Sequence, residues 1–160
     1  MHLRIFISSL FSTSVFASPI SNRAGAGGPI AKPIPSTCDI TNPLSHSNCS
    51  ITTTTSGYKP ASTFVSNHTL YESYFDLPTP AEELWEQCSQ QCYGYGGAGE
   101  CKSVVLAYGV PTPKGYYGGF GGEPMNACLM FNQFLAADAF EAAVEGQWLD
   151  VKAGNLHCGH

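Results

Sequence analysis

The sequence predicts an exported α+β domain that is held together by disulfides. Three observations lead to this prediction. One strongly patterned helix lies between segments typical of short strands, the chain of 160 residues suits one domain with tails, and seven cysteines follow an apolar N-terminal segment. In an exported chain, cysteines at this density are expected to be oxidised.

Residues 1–17 predict a secretory signal peptide. Arg4 gives a positive start, a short and mostly apolar run follows, and Val15 and Ala17 occupy the −3 and −1 positions of a cleavage site before Ser18. A membrane-spanning helix needs about 20 apolar residues, and serines interrupt this run. The alternative is an uncleaved amphipathic helix. The favoured interpretation is secretion to the extracellular space, without membrane insertion.

Two polar segments come before the predicted core. Residues 18–37 are rich in Ser, Pro and Gly and lack apolar periodicity, so we expect a loose leader. Residues 38–68 are rich in Ser and Thr, and they form an arm in which Cys38 and Cys49 hold at least part of the chain. A core domain is then expected over 69–160.

Two N-glycosylation sequons agree with export. One is Asn48-Cys49-Ser50 and the other is Asn67-His68-Thr69. Asn67 has a threonine two residues on and a setting typical of a loop, so it is the better acceptor.

The predicted core begins with a strand and a helix. The segment "TLYESYFD" (69–76) is rich in aromatic and β-branched residues, which indicates a strand. A helix follows over 80–93. Thr79 is its predicted N-cap and Pro80 its first residue, while Gly94 suits a left-handed residue that ends it. Glu82, three residues after Thr79, completes a capping box.

Five further elements are expected after the helix. The segments 101–108 and 127–133 are apolar and predict buried strands, and the Gly- and Pro-rich segment 109–126 between them predicts a long surface loop. Residues 135–146 favour a short helix that ends at a glycine. The final segments "QWLDV" and "NLHC" predict two short strands.

The stretch "QCYGYGGAGECK" carries the glycine spacing G-x-G-x-x-G, which invites comparison with dinucleotide-binding loops. In those loops the glycines follow a strand and open a helix. Here a helix comes first and a strand follows, so phosphate binding is not expected. If Cys92 and Cys101 pair, a ring of ten residues must turn from helix to strand, and glycines supply the tight turns.

The stretch "CSQQCYGYGGAGECKSVVLAY…ACLMF" resembles the PAN/apple module. The resemblance covers about residues 69–158 and depends on two cysteines one turn apart on a helix and two more in the strands that follow. It implies a small antiparallel sheet crossed by one disulfide-pinned helix. The insertion at 109–126 departs from a compact apple module. The glycine- and tyrosine-rich segments also resemble those of small secreted fungal proteins.

The resemblance also implies a set of disulfides. Carried over, the crossed pair is Cys88–Cys128 and Cys92–Cys101. Many apple modules join a cysteine near the N-terminal strand to one near the C-terminus. Cys158 fits the latter position, and either Cys38 or Cys49 fits the former. One of those two cysteines is left over, free or joining two chains.

Charge and motifs favour a binding protein over an enzyme. The net charge is −5 and the basic residues are scattered, so neither nucleic acid nor an anionic membrane surface is an expected partner. No nucleophile elbow occurs, and the cluster Glu82, Glu83 and Glu86 is explained by the N-terminal dipole of the helix.

The C-terminal "HCGH" offers His157, Cys158 and His160 as possible metal ligands. A tetrahedral zinc site requires four well-spaced ligands, and Cys158 is more plausibly oxidised. We therefore expect no metal and no cofactor.

The aromatic residues provide the candidate binding surface. Tyr116, Tyr117 and Phe120 stand among glycines that offer little to pack on, so they are expected to face a partner. Tyr95, Tyr108 and Trp148 are expected to pack on the core instead. The predicted function is non-enzymatic recognition of an extracellular glycan or protein, and the sequence does not specify an oligomeric state. The alternatives are a small secreted hydrolase and a structural or effector protein of a cell surface.

Overall fold

The computed structural model describes residues 28–44, 57–75 and 80–158. The strands are β1 (Cys38–Thr41), β2 (Tyr58–Pro60), β3 (Thr69–Phe75), β4 (Ser103–Pro111), β5 (Pro124–Phe131), β6 (Phe140–Ala142) and β7 (Leu149–Cys158). The helices are α1 (Ser62–His68) and α2 (Ala81–Gly94), and two 3-10 turns lie at Tyr116–Gly118 and Ala137–Ala139. The signal segment lies outside the described residues.

Five strands form one antiparallel sheet in the order β1-β7-β4-β5-β3. Strands β2 and β6 form a separate antiparallel pair. The predicted fold class, an α+β domain with a small antiparallel sheet and a helix pinned to it by disulfides, is confirmed.

The core lies on both faces of the sheet. Side chains alternate between the faces of a strand, so Val104 and Leu106 of β4 face α2, while Val105 faces the other way. Helix α2 covers the first face with Leu84, and α1 covers part of the second face with Phe64. Burial on both faces explains why β4 and β5 read as nearly continuous apolar runs.

Helix α2 differs at both ends from its predicted form. Its N-cap is Pro80, which makes no side-chain capping bond, so Pro80 precedes the helix instead of opening it. Thr79 lies outside the described residues. Gly94 is the last helical residue, and its backbone is not left-handed. A side chain at Gly94 would instead collide with the carbonyl of Ile30, so this glycine allows the chain before β1 to pass close to α2.

The helix predicted at 135–146 is absent, and that prediction is wrong. This segment forms the 3-10 turn Ala137–Ala139 and strand β6, which pairs with β2. Phe140 packs against the core, and the Lys59 ammonium lies 3.0 Å from the Glu141 carboxylate across the pair. These tertiary contacts outweigh the helix propensity of an alanine-rich segment.

The last two predicted strands are one. Strand β7 spans both segments: β4 pairs with residues 149–155 and β1 with residues 155–158, and its register with β4 shifts between Leu149 and Lys152. Gly154 lies in its middle, where a Cβ would approach the Trp85 ring of α2 to 3.0 Å. A glycine that breaks strand propensity locally thus allows the helix to pack closely on the sheet.

Strand β4 extends to Pro111 and β5 begins at Pro124, so the predicted loop 109–126 shortens to 112–123. The two strands pair at Pro111 and Pro124, the outermost positions of their ladder. The glycine and proline content of these strand ends predicts irregular structure, but pairing between β4 and β5 extends the strands.

The fold begins well before residue 69. Strand β1 is an edge of the main sheet, and α1 packs on the core, although both lie in the predicted Ser/Thr-rich arm 38–68. Residues 28–37 contain neither helix nor strand. Their chain nevertheless contacts α2, where the Lys32 amide donates to the Gln90 carbonyl at 3.1 Å.

Candidate functional site

The candidate site is built around the loop 112–123, which connects β4 to β5. Backbone hydrogen bonds close its base, with the Thr112 amide donating to Glu123 and the Gly122 amide donating to Thr112. Gly115 has a φ of 91°, a backbone conformation that is unfavourable for a residue with a side chain. The glycines therefore permit the turns of this loop, and hydrogen bonds hold the 3-10 turn Tyr116–Gly118 beside strand β3.

Tyr116 folds back onto the edge of the sheet. Its phenol oxygen accepts a hydrogen bond from the Tyr74 amide at 3.0 Å and donates to the Tyr74 carbonyl at 3.3 Å. The two rings meet edge to face, with centroids 4.8 Å apart. Tyr116 was expected to face a partner, but it is half-buried and attaches the loop to the outer edge of β3.

Tyr117 and Phe120 extend outward, as expected, with 84% and 99% of their surfaces exposed. The Tyr117 ring lies edge to face on Tyr116, with centroids 4.7 Å apart. Its backbone is left-handed, with φ 46° and ψ 30°. A bulky residue in this region is strained and costs the fold on the order of 1–3 kcal/mol.

A cavity of about 260 Å³ opens between β3, α2 and this loop. We call it the tyrosine cavity, after the four rings at its walls: Tyr71, Tyr74, Tyr116 and Tyr117. Gln87 and Gln91 of α2 contribute side-chain amides from the opposite wall, and they stand one turn apart on one face of the helix.

The lining of the tyrosine cavity is aromatic and neutral. Burial raises the pKa of the Tyr71 phenol, and the neighbouring Tyr116 and Tyr117 phenols add to this effect. Burial also raises the pKa of Tyr74, and so does the Glu72 carboxylate, which accepts a hydrogen bond from its hydroxyl at 3.3 Å. Both phenols therefore keep their protons near neutral pH and remain hydrogen-bond donors.

The described residues contain three disulfides, Cys38–Cys158, Cys88–Cys128 and Cys92–Cys101. The last two are the pairs that the apple resemblance implies. The first decides between the two candidates for Cys158, because Cys38 lies directly opposite it in the β1–β7 ladder. Cys49 and Asn48 lie outside the described residues.

The glycines of the G-x-G-x-x-G stretch and the C-terminal His157 have structural roles. Gly96 and Gly99 take left-handed conformations in the ring closed by Cys92 and Cys101, where α2 ends. His157 stacks on Phe134 and contacts the Thr41 hydroxyl at 3.1 Å. Within 28–44, 57–75 and 80–158, no group of three or more His, Cys, Asp or Glu is placed to hold a metal ion.

The acidic residues at the start of α2 and the aromatic residues outside the loop also make local contacts. Glu82 forms an ion pair with Lys152, with 2.7 Å between their charged atoms. Tyr95, Tyr108 and Trp148 pack against the two core clusters, as expected.

Sequence reasoning missed part of the cavity wall. The sequence predicts no role for Tyr71 and Tyr74 beyond strand β3, and none for Gln87 and Gln91 of α2, although all four line the cavity. The i, i+4 spacing of the two glutamines was the available signal, since it places both amides on one helix face. The loop that completes the cavity is distant from both in sequence.

The fold and the cavity together define a disulfide-held α+β domain with an aromatic, neutral surface cavity. Comparison with known proteins adds no relative, since no protein-family model, no curated protein and no solved structure matches the chain.

Proposed function

We propose that this chain is a secreted, non-enzymatic binding module of the PAN/apple type, and that it binds an uncharged glycan in the tyrosine cavity. The observation that carries the proposal is the exposed ring and the backbone conformation of Tyr117. Its ring is 84% exposed while its backbone is held in a strained left-handed conformation. Strain of this kind is concentrated at functional sites, where the surrounding structure maintains it.

The chemistry of the cavity favours sugar over a protein surface. A pyranose has flat C–H faces that pack on aromatic rings, and hydroxyls that both donate and accept hydrogen bonds. Tyr71 and Tyr117 supply rings and phenols, while Gln87 and Gln91 supply amides with both kinds of hydrogen-bonding group. A concave site with a few polar groups among aromatic residues is typical of small-ligand binding.

The assignment to the apple type is supported by the arrangement of α2. The helix lies across one face of an antiparallel sheet, and Cys88 and Cys92 fasten it to β5 and to the start of β4. The disulfide Cys38–Cys158 joins the first described strand to the last, as in many apple modules. The loop 112–123 remains the departure from that pattern.

Export is the second part of the proposal. Three disulfides within the described residues are compatible with an oxidising compartment. No helix in the described part of the chain has the length and apolar character needed to cross a membrane. We expect the secreted protein to begin at Ser18, and N-terminal sequencing of the product tests this directly.

Binding is tested with the mature, oxidised protein on an array of neutral and acidic oligosaccharides, followed by calorimetric titration of the best ligand. We expect a neutral oligosaccharide. We also expect Tyr117→Ala and Gln91→Ala each to weaken binding about tenfold, since loss of one ring or amide contact is worth roughly 1–1.5 kcal/mol.

Phe120→Ala is the matched control. Phe120 is 99% exposed on the same loop but does not line the cavity, so its removal should leave the affinity unchanged. Absence of binding to every oligosaccharide would overturn the proposal. An equal loss of affinity in Phe120→Ala would move the contact from the cavity to the loop tip.

A further inference from the structure

Asn67 lies in helix α1 and not in the expected loop, and it stands beside a second concave surface. Asn67 is exposed, belongs to the sequon Asn67-His68-Thr69, and lines a hollow of about 360 Å³. We call this the α1 hollow. Its walls are Phe64 and His68 of α1 and, across from them, Gln133, Phe134 and Asp138 of the segment that follows β5.

Both walls of the α1 hollow are fixed by hydrogen bonds. His68 and Asn132 are joined twice, through their side chains at 3.2 Å and through the Asn132 amide and the His68 carbonyl at 3.0 Å. The buried Asn155 holds the opposite wall, since its side-chain amide bonds to both the amide and the carbonyl of Leu135, each at 2.8 Å. The hollow therefore exists before anything occupies it.

The direction of the Asn67 side chain is set by the helix. Side chains in a helix lean towards its N-terminus, and residues three apart are neighbours on one face. A group attached to Asn67 thus leans towards Phe64, three residues earlier. Phe64 is partly buried and is held by edge-to-face contact with Phe131, at a centroid distance of 5.2 Å.

We propose that the first N-acetylglucosamine of a glycan on Asn67 packs into the α1 hollow and stabilises the fold. The sugar ring lies against Phe64, and its hydroxyls and acetamido group bond to Gln133 and Asp138. In the attachment, the bond between C1 of the sugar and its lipid pyrophosphate breaks, C1 bonds to the amide nitrogen of Asn67, and the proton lost by that nitrogen leaves with the pyrophosphate. This inference depends on the proposed export, but not on ligand binding in the tyrosine cavity.

The test compares three secreted forms that all carry Asn48→Gln, so that only Asn67 can be modified. The first keeps its whole glycan, the second is trimmed by an endoglycosidase to a single N-acetylglucosamine, and the third carries Asn67→Gln. We expect equal melting temperatures for the first two. The third should melt about 3–5 °C lower, a shift typical of one lost contact in a domain of this size.

Gln133→Ala supplies the local control. Its side chain is exposed, so the substitution should lower the melting temperature of the trimmed form and leave that of the Asn67→Gln form unchanged. Equal melting temperatures in the trimmed and Asn67→Gln forms would overturn the proposal, and so would mass spectrometry showing Asn67 unmodified in protein that has been exported. Glycan-array binding by the Asn67→Gln form is a separate readout, so the two proposals can fail independently.

Discussion

At the scale of single residues, Tyr117 is one of three described non-glycine residues with a positive φ, beside Trp148 and Asp150, and of these three it alone lines the tyrosine cavity. Its left-handed backbone is strained, and its exposed ring lies edge to face on Tyr116, with centroids 4.7 Å apart. Flanking glycines in the same loop carry positive φ without strain, so a glycine at this position would also suit the loop. Stability therefore does not account for a tyrosine at this position, whereas the proposed glycan contact does.

Tyr117→Asn separates the two roles. Asparagine tolerates the left-handed region because its short side chain bonds locally. We expect stability in urea unfolding to stay the same or to rise by up to about 1 kcal/mol as strain is relieved. Affinity for the glycan should fall at the same time.

Tyr117→Ala is the comparison, because alanine removes the ring but keeps the strained backbone. It should be less stable than Tyr117→Asn and equally weak in binding. A loss of more than about 1 kcal/mol in Tyr117→Asn would show that the ring packs on the fold, as large-to-small core changes do.

At the scale of elements, the outer edge of β3 is covered by two tyrosines. Tyr116 bonds to both backbone groups of Tyr74, and the Tyr95 hydroxyl donates to the Leu70 carbonyl at 3.2 Å. Unpaired edge strands are prone to pairing with other chains, and side chains that occupy their backbone groups reduce this tendency. The loop 112–123 thus protects the sheet and also forms a wall of the tyrosine cavity.

Tyr116→Phe tests this double role. The ring stays but both hydrogen bonds to Tyr74 are lost, which should cost about 1 kcal/mol of stability. The Tyr74 amide should exchange its hydrogen faster, and affinity should fall because Tyr117 is no longer held in place. Hydrogen exchange, urea unfolding and titration measure the three effects.

Tyr95→Phe is the matched control, since it removes the other edge bond without touching the loop. It should cost similar stability and leave the affinity unchanged. If Tyr116→Phe binds as well as the unmodified protein, the attachment of the loop to β3 does not position Tyr117.

At the scale of the whole molecule, the three disulfides close loops of very different length. Their sequence separations are 120 for Cys38–Cys158, 40 for Cys88–Cys128 and 9 for Cys92–Cys101. Chain entropy alone gives about 4.9, 3.9 and 2.6 kcal/mol for these loops. Burial predicts a different order of stabilisation. Cys88, Cys92, Cys101 and Cys128 are buried, whereas Cys38 and Cys158 are partly exposed.

Replacing each cysteine pair by alanines shows whether loop-closure entropy or packing of the buried sulfurs sets the order of stabilisation. We expect the loss of Cys38–Cys158 to destabilise most and the loss of Cys92–Cys101 to destabilise least, because the denatured chain gains most freedom when the longest loop opens. Urea unfolding of the three variants measures the order. A greater cost for Cys92–Cys101 than for Cys38–Cys158 would mean that packing around the buried sulfurs dominates.

Local patterns determined a large part of this architecture. The apolar face and the flanking Pro80 and Gly94 placed α2 to within one residue at each end, although the predicted caps differ, and apolar and aromatic runs located β3, β4 and β5. The spacing of the cysteines led, through the apple resemblance, to both disulfides of α2. These features depend on neighbours in sequence or on cysteine chemistry, so a single chain displays them.

Only the tertiary structure decided the remainder. The segment 135–146 has helix propensity, but because it pairs with β2 and packs on the core it forms a 3-10 turn and a strand. Cys38 became the partner of Cys158 because β1 pairs with β7 across 120 residues of chain. Tyr116 and Tyr117 look alike in sequence, yet one bonds to β3 and the other is exposed. Each of these outcomes depends on contacts between distant segments, and such contacts form only when the sheet brings those segments together.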